Sequence, residues 1–207
     1  MHGYGSPVDA PTESCTPRRV PGVPARPPFA FTMAAPGGWE VLRGDARSLR
    51  DDLVALVARS AVWDELTERQ REGAATLLTG IARISASTGA VATFLRTGLD
   101  SEGRPAVASV SLGWLRTAPV LADLDLARVV LPDGEPVVTG LGPGLLARHQ
   151  DAVPADGHHR SRQIVAPVPD SVWLATVTGA TASAELVGDV EFAVRYVARS
   201  LGVTRTA

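Results

Sequence analysis

The sequence SAELVGDVEFAVRYVARSL, at residues 183–201, predicts the element on which the rest of the fold packs. Apolar side chains recur in it every three or four residues, the period of an amphipathic helix. The predicted helix begins at Ser183, and its core stripe consists of Leu186, Val190, Ala193, Val194, Val197 and Leu201. Burial of the large aliphatic members, at roughly 1.5–3 kcal/mol apiece, makes this helix the expected support of the fold.

Charge along the same segment agrees with a helix. Glu185 and Asp189 come early, whereas Arg195 and Arg199 come late. Acidic residues near the start and basic residues near the end both interact favourably with the helix dipole. We expect these four side chains to remain in solvent.

The residues before this helix alternate with a period of two, which predicts antiparallel strands joined by hairpins. The three expected hairpins join residues 91–95 with 107–111, 128–131 with 136–139, and 163–166 with 172–177. Polar or glycine-containing turns connect each pair, for example Asp100-Ser101-Glu102-Gly103 in the first.

Two short strands and two helices are predicted closer to the start. The strands are Phe29–Met33 and Trp39–Leu42, followed by a helix from about Ala46. A second helix begins at Thr67, because Thr67 and Gln70 have the spacing of a capping box. Gly89 should end it.

This order of elements predicts an α+β fold: an antiparallel β-sheet meander covered by helices, with a long C-terminal amphipathic helix. Residues 1–28 contain seven of the sixteen prolines and are expected to form a disordered Pro-rich tail. Residues 29–203 then form a single α+β domain, and residues 204–207 a frayed C-terminus.

The composition excludes several classes of enzyme. The 20 Lys and Arg residues are all Arg, because the sequence contains no Lys. It contains no Asn either. Without Lys there is no Walker-type phosphate loop and no pyridoxal Schiff base. Without Asn there is no Cys-His-Asn protease triad. We expect no cofactor.

Charge and hydropathy bear on partners and location. The net charge of −2, with both signs interleaved, predicts no nucleic-acid binding. No apolar run approaches the roughly 20 residues that cross a bilayer, so no membrane insertion is expected. The single cysteine, Cys15, excludes an internal disulfide framework. With no secretory apolar segment near Met1, a cytoplasmic protein is the expectation.

Three motifs resemble a group of actinobacterial proteins. They are Phe31 with Pro36-Gly37-Gly38-Trp39, the segment Gln163–Pro169 with its Pro-Val-Pro turn, and the strand Val172–Val177 before the closing helix. The group looks like the Mog/PsbP-type sandwich, to which mycobacterial lipoproteins of the LpqN kind also belong. The resemblance implies an antiparallel sheet covered by helices, in a family whose members mostly bind partners. This sequence has no lipobox, so membrane anchoring does not carry over, and no functional residue is transferred.

Two motifs could carry chemistry. His158 and His159, with His149 upstream, could ligate a metal, or His159 could activate Ser161. Adjacent strand residues face opposite sides, so only one of the pair could join His149. The glycine-rich run at residues 140–144 lacks the dinucleotide-binding spacing and favours a sheet connection.

Trp63 lies between the first two helices, where the apolar pattern breaks. If exposed beside Val62 and Leu66, it would form a contact patch for a protein partner. The resulting hypothesis is a non-enzymatic protein-binding or accessory scaffold. Two alternatives remain: a small-molecule-binding protein with a pocket between sheet and helices, and a hydrolase or metal enzyme that uses His149, His158 and His159.

Overall fold

The computed structural model describes residues 27–42, 63–64, 66–117, 125–153 and 157–205. The strands are β1 (Phe29–Thr32), β2 (Glu40–Leu42), β3 (Ala90–Leu99), β4 (Pro105–Arg116), β5 (Glu135–Thr139), β6 (Gly142–Val153), β7 (Gly157–Pro167), β8 (Trp173–Thr181) and β9 (Gly202–Arg205). The helices within this part of the chain are α1 (Glu68–Thr88), α2 (Leu126–Val130) and α3 (Val187–Ser200).

Seven strands form one antiparallel sheet in the order β2-β3-β4-β8-β7-β6-β5. The chain runs through β2, β3 and β4, continues to the far edge at β5, and returns through β6 and β7 until β8 pairs with β4. This confirms the predicted α+β fold with an antiparallel sheet and a C-terminal helix. The pairing of β4 with β8 joins strands β2–β4 and strands β5–β8 into one open sheet.

One face of the sheet forms the main core beneath α3. Side chains from alternating strand positions meet the apolar stripe of the helix, because successive residues of a strand point to opposite faces. The buried strand residues on this face include Phe94, Val110, Leu146, Ile164 and Val177. The helix contributes Val190, Ala193, Val194, Val197 and Ala198, with Leu201 just after its end. The predicted stripe is therefore the one that the structure buries, with Leu186 partly buried beside it.

Gly179 in β8 brings α3 close to the sheet. A Cβ atom at this position would lie 2.5 Å from Val194 Cγ2 and 2.7 Å from Val190 Cγ1. Valine side chains have restricted χ1 rotamers and cannot easily move aside. The missing side chain of Gly179 is therefore what allows both valines to contact the strand.

A second, two-stranded sheet covers one end of this core. β1 pairs with β9 in antiparallel register, with Phe29 opposite Arg205 and Phe31 opposite Val203. The rings of Phe29 and Phe31 pack edge-on against Trp114 in β4, at centroid distances of 5.0 and 5.3 Å. Residues 204 and 205 lie in β9, where β1 supplies their backbone partners.

The opposite face of the sheet is covered at its two ends by α1 and α2. Leu42, Leu78 and Leu95 form a small cluster beneath α1. Leu131, Leu145, Val165 and Leu174 form another cluster beside Ala127 of α2. Among the described helices, α1 and α2 thus lie on one face of the sheet and α3 lies on the other, over the larger core.

The capping box before α1 is confirmed. Thr67 Oγ1 accepts a hydrogen bond from the backbone N–H of Gln70, and Gln70 Oε1 accepts one from the backbone N–H of Thr67. At the other end Gly89 has a φ of +66°, a conformation that favours glycine and ends the helix. The helix expected from about Ala46 and the Pro-rich tail at residues 1–28, apart from Pro27 and Pro28, lie outside the described residues.

The predicted strand at residues 128–131 was wrong, since this segment belongs to α2 and its C-terminal cap. Asp125 is the reason, because its carboxylate accepts a hydrogen bond from the backbone N–H of Arg128 and caps the helix. The first and third predicted hairpins are confirmed as β3–β4 and β7–β8. Strand β6 was not predicted, because its segment contains glycine, proline and charged residues in place of a clear apolar alternation.

Helix α3 begins at Val187, four residues later than Ser183. Glu185 is held instead by the turn between β3 and β4, where it accepts hydrogen bonds from the backbone N–H and the hydroxyl of Ser101. Glu185, which the sequence placed inside the helix, thus makes a long-range contact before the helix begins.

We expect Gly179→Ala to destabilise the protein by about 1–3 kcal/mol, because the new methyl group overpacks Val190 and Val194. Urea unfolding of the variant and wild type measures the difference. Gly98→Ala is the matched control, since a Cβ at Gly98 in β3 meets nothing within 4 Å. Equal midpoints for the two variants would contradict this account of the packing.

Candidate functional site

An aromatic pair lies on the solvent side of α3. The side chains of Phe192 and Tyr196 are 62% and 40% exposed. Their rings stack with centroids 5.9 Å apart and an interplanar angle of 26°. Residues four apart on a helix are neighbours on its surface, so the two rings form one continuous patch.

This patch lies opposite the core stripe for a simple geometric reason. Val190, Val194 and Val197 point into the sheet, and each residue turns the helix by about 100°. Phe192 and Tyr196 consequently project away from the sheet. Burial in the core does not explain two large rings at these positions, so they form a small exposed apolar patch.

On the side of α3 that faces β6 and β7, a cluster of arginines binds one glutamate of the helix. The carboxylate of Glu191 accepts hydrogen bonds from three guanidinium groups. Arg148 in β6 donates to both oxygens at 2.8 and 3.0 Å, Arg162 in β7 donates at 3.1 Å, and Arg195 donates at 3.2 Å. Arg148 also contacts Glu135 of β5 at 2.6 Å. One carboxylate thus joins the helix to two strands.

The two-point contact with Arg148 lowers the pKa of Glu191 from 4.5 to about 2. Burial of the carboxyl group opposes this change, and hydrogen bonds from Arg162 and Arg195 add to it. Glu191 and then Glu135 in turn raise the pKa of Arg148 above its ordinary value. Glu191 therefore remains ionised well into the acid range, and the network persists with it.

An ion pair holds the other side of the helix. Asp189 Oδ2 lies 3.2 Å from Arg96 Nη1 of β3, and both side chains are 41% exposed. An exposed pair of this kind contributes little stability, typically about 0–1 kcal/mol. The rotation of α3 is therefore held mainly by the core valines and the Glu191 network, which give the aromatic patch a defined orientation.

Two arginines lie next to the exposed rings on α3. Phe192 and Tyr196 are exposed aromatics, and Arg195 and Arg199 lie beside them on the same helix. Aromatic residues and arginine are enriched at protein interfaces, and tyrosine and arginine are frequent hot spots. We call Asp189, Phe192, Tyr196 and Arg199 the α3 seam.

The predicted patch around Trp63 has a different environment. Trp63 is half-buried and packs against the cluster of Leu42, Leu78 and Leu95. Leu66 is only 7% exposed, so it is buried where an exposed contact was expected. Val62 lies outside the described residues. A partner contact at Trp63 stays a prediction.

The register of β6 and β7 places the histidine cluster. His149 lies opposite Ser161 and residue 151 opposite His159, so His149 and His159 belong to one face and His158 to the other. His149 is exposed, whereas for residues 151–153 and 157–159 only the backbone is described. Among the side chains that are described, no group of three His, Cys, Asp or Glu residues could hold a metal ion. The proposed chemistry at His149, His158 and His159 stays a prediction.

The space between α1 and the sheet contains a group of hydroxyls. Thr93 donates to Ser85 at 3.3 Å, and the hydroxyl of Ser111 lies 3.2 Å from Thr93 and 3.3 Å from Ser85. These three hydroxyl groups form hydrogen bonds with one another across the contact between α1 and the sheet. The alternative of a small-molecule pocket between the sheet and the helices stays a prediction.

The residues that sequence reasoning missed are Phe192 and Tyr196. The sequence contained a signal for them, because Phe192 and Tyr196 are four residues apart and share the face of the helix opposite the apolar stripe. That face should carry polar residues in an amphipathic helix, so two aromatics there contradict the pattern.

No protein-family model matches the sequence, and no curated protein matches it. Among solved structures, the chain is similar to LpqN, described as involved in cell envelope biogenesis of Mycobacterium tuberculosis. The two chains are 11% identical with a TM-score of 0.44, and the match covers 85% of this chain and 84% of LpqN. A likeness at this level supports no argument about activity or partners.

Within the described residues, none of the helices combines the length and the apolar character needed to cross a bilayer.

We expect Glu191→Gln to destabilise the protein by about 2 kcal/mol at pH 7, because three guanidinium groups lose their shared charged acceptor. The folded-state pKa of Glu191 is about 2, below its ordinary 4.5, so the contribution is complete above about pH 5. It is lost as the pH falls towards 2. Urea unfolding at several pH values should therefore show the two proteins converging in acid.

Glu135→Gln is the control for this experiment, since Glu135 contacts only one of these arginines and its side chain is 62% exposed. We expect it to change stability by less than about 1 kcal/mol. A loss equal to that of Glu191→Gln would show that Glu191 is not the centre of the network.

Proposed function

We propose that this protein is a non-enzymatic protein-binding scaffold whose partner docks on the solvent face of α3. The observation that carries the proposal is the stacked, exposed pair of Phe192 and Tyr196. Burial of such rings against a partner would supply the apolar contact area that drives association.

The way α3 is held supports the same function. The helix is fixed to the sheet by Val190 and Val194 below, by Glu191 on one side and by Asp189 on the other. A rigid surface loses little conformational entropy when it binds, and this preorganisation favours affinity. The exposed guanidinium of Arg199 adds a planar donor that can bond a carboxylate at two points.

A pull-down tests the proposal. We expect proteins captured by the wild-type chain to be lost with the double variant Phe192→Ser/Tyr196→Ser, because both rings leave the interface. Truncation of hot-spot side chains costs about 2 kcal/mol or more each, which is roughly a thirtyfold loss of affinity or greater. Quantitative mass spectrometry of the captured proteins provides the measurement.

Val138→Ser is the matched control, since Val138 on edge strand β5 is 75% exposed and lies outside the α3 seam. It should retain every protein that the wild type captures. Equal capture by the wild type and the double variant would refute the proposed function.

A further inference from the structure

The α3 seam has an internal symmetry. Its members, Asp189, Phe192, Tyr196 and Arg199, are spaced by three, four and three residues. This is the spacing of the a and d positions of a coiled coil, which form a single stripe along a helix. The stripe lies on the side of α3 that the sheet leaves exposed.

The order of side chains along this stripe is complementary to the same order read in the opposite direction. Phe192 and Tyr196 lie two positions before and after Val194, and Asp189 and Arg199 lie five positions before and after it. When two such helices pack antiparallel about a two-fold axis near Val194, Phe192 meets Tyr196 of the second copy. Asp189 then meets Arg199 of the second copy, and both contacts occur twice.

We propose that the occupant of the α3 seam is a second copy of this chain, bound as an antiparallel helix pair. The inference rests on the proposed function and names the partner of that same surface. A two-fold interface must be self-complementary, because each residue contacts the same patch on the other subunit. A different protein would require no symmetry in the order Asp, aromatic, aromatic, Arg.

The charged ends of the seam are available for this contact. Arg199 is exposed and makes no ion pair within the part of the chain that the structure describes. Asp189 contacts Arg96 through Oδ2, and a carboxylate has a second oxygen that can accept from another guanidinium. Each end therefore retains a group for the second copy.

One helix face is a small interface, and small interfaces give weak, reversible association. Sedimentation equilibrium of the purified chain, from about 5 µM to about 500 µM, should show a monomer that converts to a dimer with rising concentration. A monomer over the whole range would overturn the inference.

Charge reversal tests the geometry. Asp189→Arg and Arg199→Asp each place like charges opposite one another at two symmetric sites, so each variant alone should dimerise about tenfold more weakly. In a mixture of the two variants, each heterodimer would again place a guanidinium opposite a carboxylate at both sites. We therefore expect the mixture to recover the dimer as a heterodimer.

Two further variants keep the result interpretable. Arg69→Asp makes the same charge change as Arg199→Asp, but on the exposed surface of α1, and it should leave the dimer unchanged. Phe192→Ser removes a solvent-exposed ring, so the fold should remain intact while dimerisation is lost. Failure of the mixture to recover the dimer, with both variants folded by circular dichroism, would overturn the antiparallel arrangement.

The outcomes separate this inference from the proposed function. A monomeric chain whose captured proteins still depend on Phe192 and Tyr196 would overturn self-association and assign the face to a different protein. A dimer that is insensitive to both charge reversals and to Phe192→Ser would overturn the inference, and the pull-down would then decide the proposed function by itself.

Discussion

The contact between Gly179 and the valines of α3 is the constraint on which the rest of the structure depends. Val190 and Val194 reach the sheet because β8 has no side chain at that point. Their burial sets the distance of the helix from the strands. It also brings Glu191 of the helix within reach of Arg148 in β6 and Arg162 in β7. One missing methyl group therefore positions both the core and the polar network.

The polar network determines how α3 rests on that core. Apolar packing alone is non-directional and tolerates small rotations of a helix. Hydrogen bonds from three guanidinium groups to one carboxylate have defined directions, and they fix Glu191 relative to two strands. The aromatic pair on the outer side is presented at a fixed angle as a consequence. Structure and candidate function are thus linked through the same helix.

Sequence reasoning succeeded where the deciding contacts were local. The capping box of Thr67 and Gln70, the turn at Asp100–Gly103 and the 3.6-residue stripe of α3 each depend on residues close in sequence. It failed where a distant residue intervened. Glu185, expected inside the closing helix, lies before it and accepts hydrogen bonds from Ser101 of the distant β3–β4 turn.

The candidate site shows the same division. The sequence by itself determined an α+β chain with one strongly amphipathic closing helix, and it placed Phe192 and Tyr196 opposite the apolar stripe. Only the tertiary structure decided that Trp63 and Leu66 pack inward and that the rings of α3 remain exposed. The physical reason is that side-chain period is a property of the local chain, whereas burial depends on which distant elements cover each face.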